Sequence, residues 1–167
     1  MSQNLEIEKK FIIRYPDTKY LESLDGCSYS DIEQVYLAGE GRSERIRKRG
    51  IDGDFKYYHT LKYHLTDMTR VEEERLITKE EYDTLKQKAD PNLNVIYKTR
   101  YVFPYKNHVI EIDVFPFWKS QAYLEVELGS ETEDFDIPPF IDVVCDVTLD
   151  KKYTNHSLAK TIPEPIV

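Results

Sequence analysis

Charged and apolar side chains alternate along six separate stretches of this chain, and a period of two marks β-strands whose two faces meet different surroundings. Residues 5–13 set the pattern: Glu6, Glu8 and Lys10 interleave with Leu5, Ile7 and Phe11. It returns at Arg45, Arg47 and Arg49, at Arg70, Glu72 and Glu74, and at Lys98 and Arg100. Glu111 with Asp113 and Glu125 with Glu127 complete the set. One such face is readily explained by solvent. Six together, mixing carboxylates with Arg and Lys, point to a common interior that holds metal and a polyanion.

The coarse element pattern agrees with a sheet. Strands are expected at 5–13, 32–38, 44–49, 55–63, 69–77, 95–105, 108–115 and 122–128, with a last one at 146–149. The stretch Gly50-Ile51-Asp52-Gly53 and the pair Lys106-Asn107 are hairpin turns. Pro16 and Asp17 open a short helix over 18–24. Thr78 with Glu81 forms a capping box for a second helix, ended by Asp90-Pro91-Asn92. Pro138 and Pro139 open a helical turn through Val143. Residues after Lys160 read as a frayed tail. The expected class is α+β, mainly antiparallel β: about eight strands, a number that suits a closed barrel with a polar lumen, and a few outer helices. Residues 1–160 form one domain and 161–167 a tail.

Composition narrows the function. With a net charge of −8 over 167 residues, the chain does not resemble a general nucleic-acid binder. Its cations are nevertheless clustered, with Arg42, Arg45, Arg47, Lys48 and Arg49 beside only Glu40 and Glu44. Two cysteines are too few for a disulfide framework or a zinc site. No apolar run reaches membrane-spanning length, and the first ten residues lack a signal core, so the cytoplasm is expected. His59, His64, His108 and His156 show no metal-ligand spacing, and there is neither a Gly-rich phosphate loop nor a GxSxG elbow.

The three Glu-x-Glu pairs carry the chemistry. Two carboxylates on one strand face lie about 7 Å apart, and hard cations such as Mg²⁺ take oxygen ligands. Any one pair alone is as well explained by a solvated face with cationic neighbours. Three pairs facing inward repel unless cations or a metal neutralise them. Lys10, Arg45, Arg47, Lys62, Lys98 and Arg100 fall on the same inward faces and suit a phosphate chain approached from several sides.

These residues, in this order, resemble the CYTH superfamily, the triphosphate tunnel metalloenzymes. Glu6-Ile7-Glu8-Lys9-Lys10 is similar to its ExExK signature, Gln34-Val35-Tyr36-Leu37 to its second strand, and Arg45-Ile46-Arg47 to its RxR strand. Thr60-Leu61-Lys62, Arg70 with Glu72 and Glu74, Lys98-Thr99-Arg100 and Glu111-Ile112-Asp113 follow in turn. Glu125-Val126-Glu127, then Asp146-Val147-Thr148, Lys152-Tyr153 and Asn155, resemble the last strands and the C-terminal signature. The resemblance implies a tunnel barrel that takes a triphosphate end-on with Mg²⁺ or Mn²⁺. It implies metal ligands among Glu6, Glu8, Glu125, Glu127, Asp113 and Asp146, with help from Glu72 or Glu74. Phosphate binding falls to Lys10, Arg45, Arg47, Lys62, Arg70, Lys98 and Arg100. Glu72 or Glu74 would orient water, and Lys152 would act with Tyr36 at the mouth. The activity so implied is hydrolysis of inorganic tripolyphosphate, thiamine triphosphate or a nucleoside triphosphate, with a small-molecule substrate as the partner. An adenylate cyclase and a non-catalytic polyphosphate-binding module are the alternatives.

Overall fold

The computed structural model describes residues 2–39 and 43–167, with side chains from Leu5 onward; Glu40 and Arg42 of the basic cluster lie outside them. The chain begins with a long strand, β1 (Ser2–Arg14), followed by a short helix, α1 (Thr18–Ser23). Four strands follow: β2 (Ser28–Tyr36), β3 (Ser43–Ile51), β4 (Asp54–His64) and β5 (Thr69–Ile77). Helix α2 (Lys79–Lys86) precedes β6 (Ile96–Tyr105), β7 (His108–Val114), β8 (Gln121–Glu127) and a short β9 (Val143–Asp146). A single 3₁₀ turn, Lys151–Tyr153, leads into α3 (Asn155–Lys160).

The strands run in the order β5-β4-β3-β2-β6-β7-β8-β1, and β1 pairs back onto β5 to close an eight-stranded antiparallel barrel. β9 is the ninth strand, added outside the ring on the upper half of β1. Closure works because β1 is long enough to serve two neighbours. Residues 2–7 pair with β5, and residues 8–14 pair with β8. The hairpins set the register of the rest. Asp52 and Gly53 both have positive φ, at 52° and 84°, as a two-residue type I′ turn requires. Just before that turn, a Cβ on Gly50 would meet the Asp54 carbonyl oxygen at 1.9 Å, so only glycine fits. Lys106 and Asn107, with φ of 41° and 64°, turn β6 into β7.

Alternation places apolar side chains outward, where helices and loops cover them. Phe11, Ile13, Phe103, Ile110, Ile112 and Leu124 are buried with Leu21 of α1 and Ile141. Val35, Leu37, Ile46 and Ile77 pack with Tyr82 of α2. The Thr78–Glu81 capping box is formed as expected, and Thr78 Oγ1 accepts from Glu81 N at 3.1 Å. A third cluster sits on the inward faces at one end of the ring. Ile12, Tyr36, Ile96 and Tyr123 meet Phe115, Trp118, Tyr153 and Leu158, so the 3₁₀ turn and α3 plug the barrel with apolar side chains.

Three local expectations change. Residues 138–141 form one turn, with Ile141 N donating to Pro138 O at 3.0 Å, and no helix. Pro139 steers the residue before it away from helical backbone, and the chain then enters β9. That strand is Val143–Asp146 rather than 146–149, because Asp146 already caps the next turn by accepting from Thr148 N at 2.8 Å. The tail beyond Lys160 is tied down. Trp118 Nε1 donates to Pro163 O at 3.1 Å, Ile166 N to Gln121 Oε1 at 2.7 Å, and Ser120 Oγ to the Val167 carbonyl. No helix among the described residues is long and apolar enough to cross a membrane.

Candidate active site

The inward faces converge on a cavity of about 160 Å³, room for roughly five waters at ~30 Å³ each. Its lining is almost wholly ionic: Glu6, Glu8, Arg45, Arg47, Lys62, Glu72, Arg100, Glu111 and Glu125, with Asn155 from α3. Arg45, Lys62 and Asn155 also line a wider antechamber of about 640 Å³, which Tyr36, Tyr63, His64, Arg70 and His156 surround. The lumen is therefore reached from the side where the loop 148–157 lies over the ring. A second groove, about 450 Å³ between Tyr15, Phe55, Tyr97 and Pro116, shares none of the side chains that line the lumen.

Cross-strand register decides the pairs. Lys62 stands opposite Glu72 and reaches Glu6 Oε1 at 2.8 Å and Glu72 Oε2 at 3.4 Å. Arg47 Nη2 donates to Glu74 Oε1 at 2.8 Å, and Thr60 Oγ1 donates to the same oxygen at 3.0 Å. Arg100 Nη1 binds Glu111 Oε2 at 2.9 Å. Lys10 Nζ stands 3.5 Å from Glu125 Oε1 and donates to Tyr153 O at 3.3 Å. Lys10 also lies 4.7 Å over the Tyr123 ring.

The titration of these groups follows their crowding. Burial, then the neighbouring carboxylates Glu125 and Glu6, push Glu8 up to about 8. Glu72 is pushed up to about 7 by burial and by its hydrogen bond with Glu6. Burial works against ionisation of Glu6 too, yet Lys62 and that same hydrogen bond hold it well below the usual carboxylate range. Burial and the cations Arg45 and Arg100 bring Arg47 down to about 10.

The expected residues do not all meet in the lumen. Glu6, Glu8, Glu72, Glu125, Lys10, Arg45, Arg47, Lys62 and Arg100 are brought together around the lumen, with Tyr36 and Arg70 at its mouth. Glu127 shares their face but is exposed at the rim, where burial and the charges of Glu6 and Glu111 raise its pKa. Lys98 and Asp113 are held by one another and not by the cavity. Asp113 accepts from Lys98 Nζ at 2.9 Å, from Arg100 Nε at 2.8 Å and from Arg100 Nη2 at 2.9 Å. The Lys98 and Asp113 side chains are 0% and 1% exposed. Burial opposes the charge on Asp113, but Arg100 and Lys98 hold it far below its usual range.

Asp146 and Lys152 are placed away from the lumen. Asp146 is exposed, 3.9 Å from Lys9, and spends an oxygen on Thr148 N. Lys152 is exposed and lies 4.0 Å from Asp150. Both sit in a loop-flanked segment where strand alternation gives no direction. Glu111, Thr60 and Gln34 join the wall without having been assigned a role. For Glu111 the alternation with Asp113 was the available signal.

The donor set suits a hard divalent cation. Every candidate ligand atom is a carboxylate oxygen, and Glu125 Oε1 makes no hydrogen bond among the described residues although it is buried. The carboxylates answer to Lys and Arg, and no three of them converge to ligand geometry among the described residues.

No family model and no curated protein matches the chain, but solved structures do. The inorganic triphosphatase NE1496 is 28% identical over 95% of this chain and 97% of its own, with a TM-score of 0.59. The PH1012 protein of Pyrococcus horikoshii is 22% identical over 75% of this chain and 80% of its own, with a TM-score of 0.56. HpAC1 from Hippeastrum, described as an adenylyl cyclase candidate with a dominant triphosphatase activity, is 16% identical. It covers 75% of this chain and 80% of its own, with a TM-score of 0.54. The latter two share the fold.

Proposed function

We propose that this chain, a member of the CYTH superfamily, hydrolyses a small-molecule triphosphate with Mg²⁺ or Mn²⁺ bound in its lumen. One observation carries the reading. Arg45, Arg47, Lys62 and Arg100 share one small cavity with Glu6, Glu8, Glu72 and Glu125. That combination suits a phosphate chain and its counter-cation, and suits an apolar ligand or a free anion poorly.

The chain's own residues do most of the work. Lys62, Arg47 and Arg100 are poised to exchange carboxylate partners for phosphoryl oxygens, at little net desolvation because both partners are anions. Their charges then oppose the charge that spreads over the phosphoryl oxygens in a loose transition state. Lys10 and Arg70 extend the cationic wall on the β1 and β5 sides. Glu6, Glu8 and Glu125, released from their cations, are the residues that would hold the metal. A divalent cation there supplies charge neutralisation and a polarised water. Glu72 lines the cavity and is the better placed carboxylate to orient that water, since Glu74 is engaged by Arg47 and Thr60. Tyr36 faces the entering chain from the mouth.

The test is a panel of tripolyphosphate, thiamine triphosphate and nucleoside triphosphates, in Mg²⁺ and then Mn²⁺, with released orthophosphate measured. Turnover abolished by a chelator is expected. Glu6→Gln should lower kcat/KM at least about 100-fold, since metal charge stabilisation is worth several kcal/mol, with the folded circular-dichroism spectrum kept. Cyclic AMP with pyrophosphate from ATP would replace this reading by a cyclase. Tight tripolyphosphate binding without turnover in either metal would replace it by a binding module.

A further inference from the structure

We propose that Gln34 is a positioning residue that aims the Tyr36 hydroxyl at the phosphate chain; this rests on the triphosphatase reading above. Gln34 is 0% exposed on the inward face of β2, two residues from Tyr36 and opposite Arg47 and Ile96. Its neighbours on that side, Ile32 and Ile96, are buried and apolar. Packing alone would favour another aliphatic side chain there, because a buried amide is costly unless it is bonded.

The amide has one partner and one unmet need. Gln34 Nε2 donates to Tyr36 Oη at 2.7 Å. Gln34 Oε1 is buried with no partner among the described residues. Arg45 stands opposite Tyr36 in the β2–β3 register, and its guanidinium lies against the same hydroxyl. A guanidinium has donors only, and a phenol oxygen has two lone pairs and one proton. Both groups that approach Tyr36 Oη therefore come as donors. Neither can take its proton, which is left for the open side.

That side is the mouth, where Tyr36 stands with Arg45, Lys62 and Arg70. The ring itself is held, with His156 edge-on at 5.1 Å and Leu158 and Ile96 in the same buried cluster. An oxyanion entering beside Arg45 meets a hydroxyl already pointing its proton outward. Gln34 touches no phosphate in this scheme. It acts by denying the hydroxyl an acceptor inside the wall.

The experiment is a double-mutant cycle on tripolyphosphate hydrolysis in Mg²⁺, using Gln34→Leu, Tyr36→Phe and the double variant. Gln34→Leu should lower kcat about 10-fold, the worth of one hydrogen bond, with KM changed less than about twofold. In the Tyr36→Phe background the same change should have no further effect. Gln34→Glu keeps the size but offers the Tyr36 proton an acceptor, and should lower kcat at least as far; it also serves if Gln34→Leu does not fold. Independent, multiplying losses in the cycle, or a Gln34→Glu enzyme of wild-type rate, would overturn the positioning role alone. A wild-type protein that does not turn over any triphosphate would overturn the triphosphatase reading and this role with it.

Discussion

Replacing Asp113 with Asn should unfold the protein more readily. The Asp113 carboxylate is 1% exposed and accepts three charged hydrogen bonds, from Lys98 and twice from Arg100. Taken singly such bonds are worth about 1.5–3 kcal/mol, but they share one desolvation cost and do not add. The better measure is the breaking of a buried pair, about 3–5 kcal/mol, since the buried Lys98 loses its anion and Arg100 loses one of two. For a chain of this size that lowers Tm by roughly 6–20 °C, at 2–4 °C per kcal/mol. Lys98→Met should cost less, because Asp113 keeps its two-point contact with Arg100 and Arg100 keeps Glu111 at 2.9 Å. The double variant Lys98→Met/Asp113→Asn should cost less than the sum of its parts by at least about 1 kcal/mol, the coupling expected of groups in one network. Urea denaturation followed by circular dichroism gives the midpoints, and an unchanged m-value keeps the comparison valid. Steady-state kinetics on the same proteins supply the contrast. If Asp113→Asn shifts stability by under about 1 kcal/mol, or if Lys98→Met raises KM tenfold at an unchanged midpoint, these two groups serve the ligand and the structural account fails.

Arg47→Ala should raise KM for the triphosphate about 10- to 100-fold, the worth of a charge-assisted contact, and flatten its salt dependence; an unchanged KM would remove Arg47 from the phosphate path. Glu33 accepts from Tyr82 Oη at 2.7 Å and Lys86 Nζ at 2.9 Å, tying α2 to the ring. Burial opposes its ionisation, but these partners lower its pKa below 4.5. A lowered carboxylate stabilises the fold above its unfolded pKa, and that share is lost as pH falls through the folded value. Glu33→Gln should therefore cost stability at pH 7 and shrink the loss on acidification below 4.5, and equal acid sensitivity of both proteins would refute the link. Deleting residues 162–167 removes the contacts of the tail to Trp118 and Gln121, and should cost about 1–3 kcal/mol. An unshifted thermal midpoint would return the tail to the frayed state expected from its prolines.

What could be read ahead of the structure follows from which face carries charge. Strand alternation identifies an inward face whenever the outward one is apolar, and Glu6, Glu8, Lys10, Arg45, Arg47, Lys62, Glu72 and Glu125 all obeyed it. Alternation cannot say whether two inward charges meet each other or a ligand. For Lys98 and Asp113 that depends on register, and the register was within reach. A two-residue turn at Lys106-Asn107 pairs Tyr105 with His108, and counting back pairs Arg100 with Asp113. Asp146 and Lys152 had no such guide, because they flank turns where side-chain direction has no period. The seam of the barrel is the step that joins fold to site. β1 changes partner between Ile7 and Glu8, so Glu6 faces the β4–β5 cations and carboxylates while Glu8 and Lys10 face Glu125 on β8. A motif of five consecutive residues thus reaches both halves of the lumen only because its strand closes the ring. Loss of that closure would scatter the carboxylates before any one of them was changed.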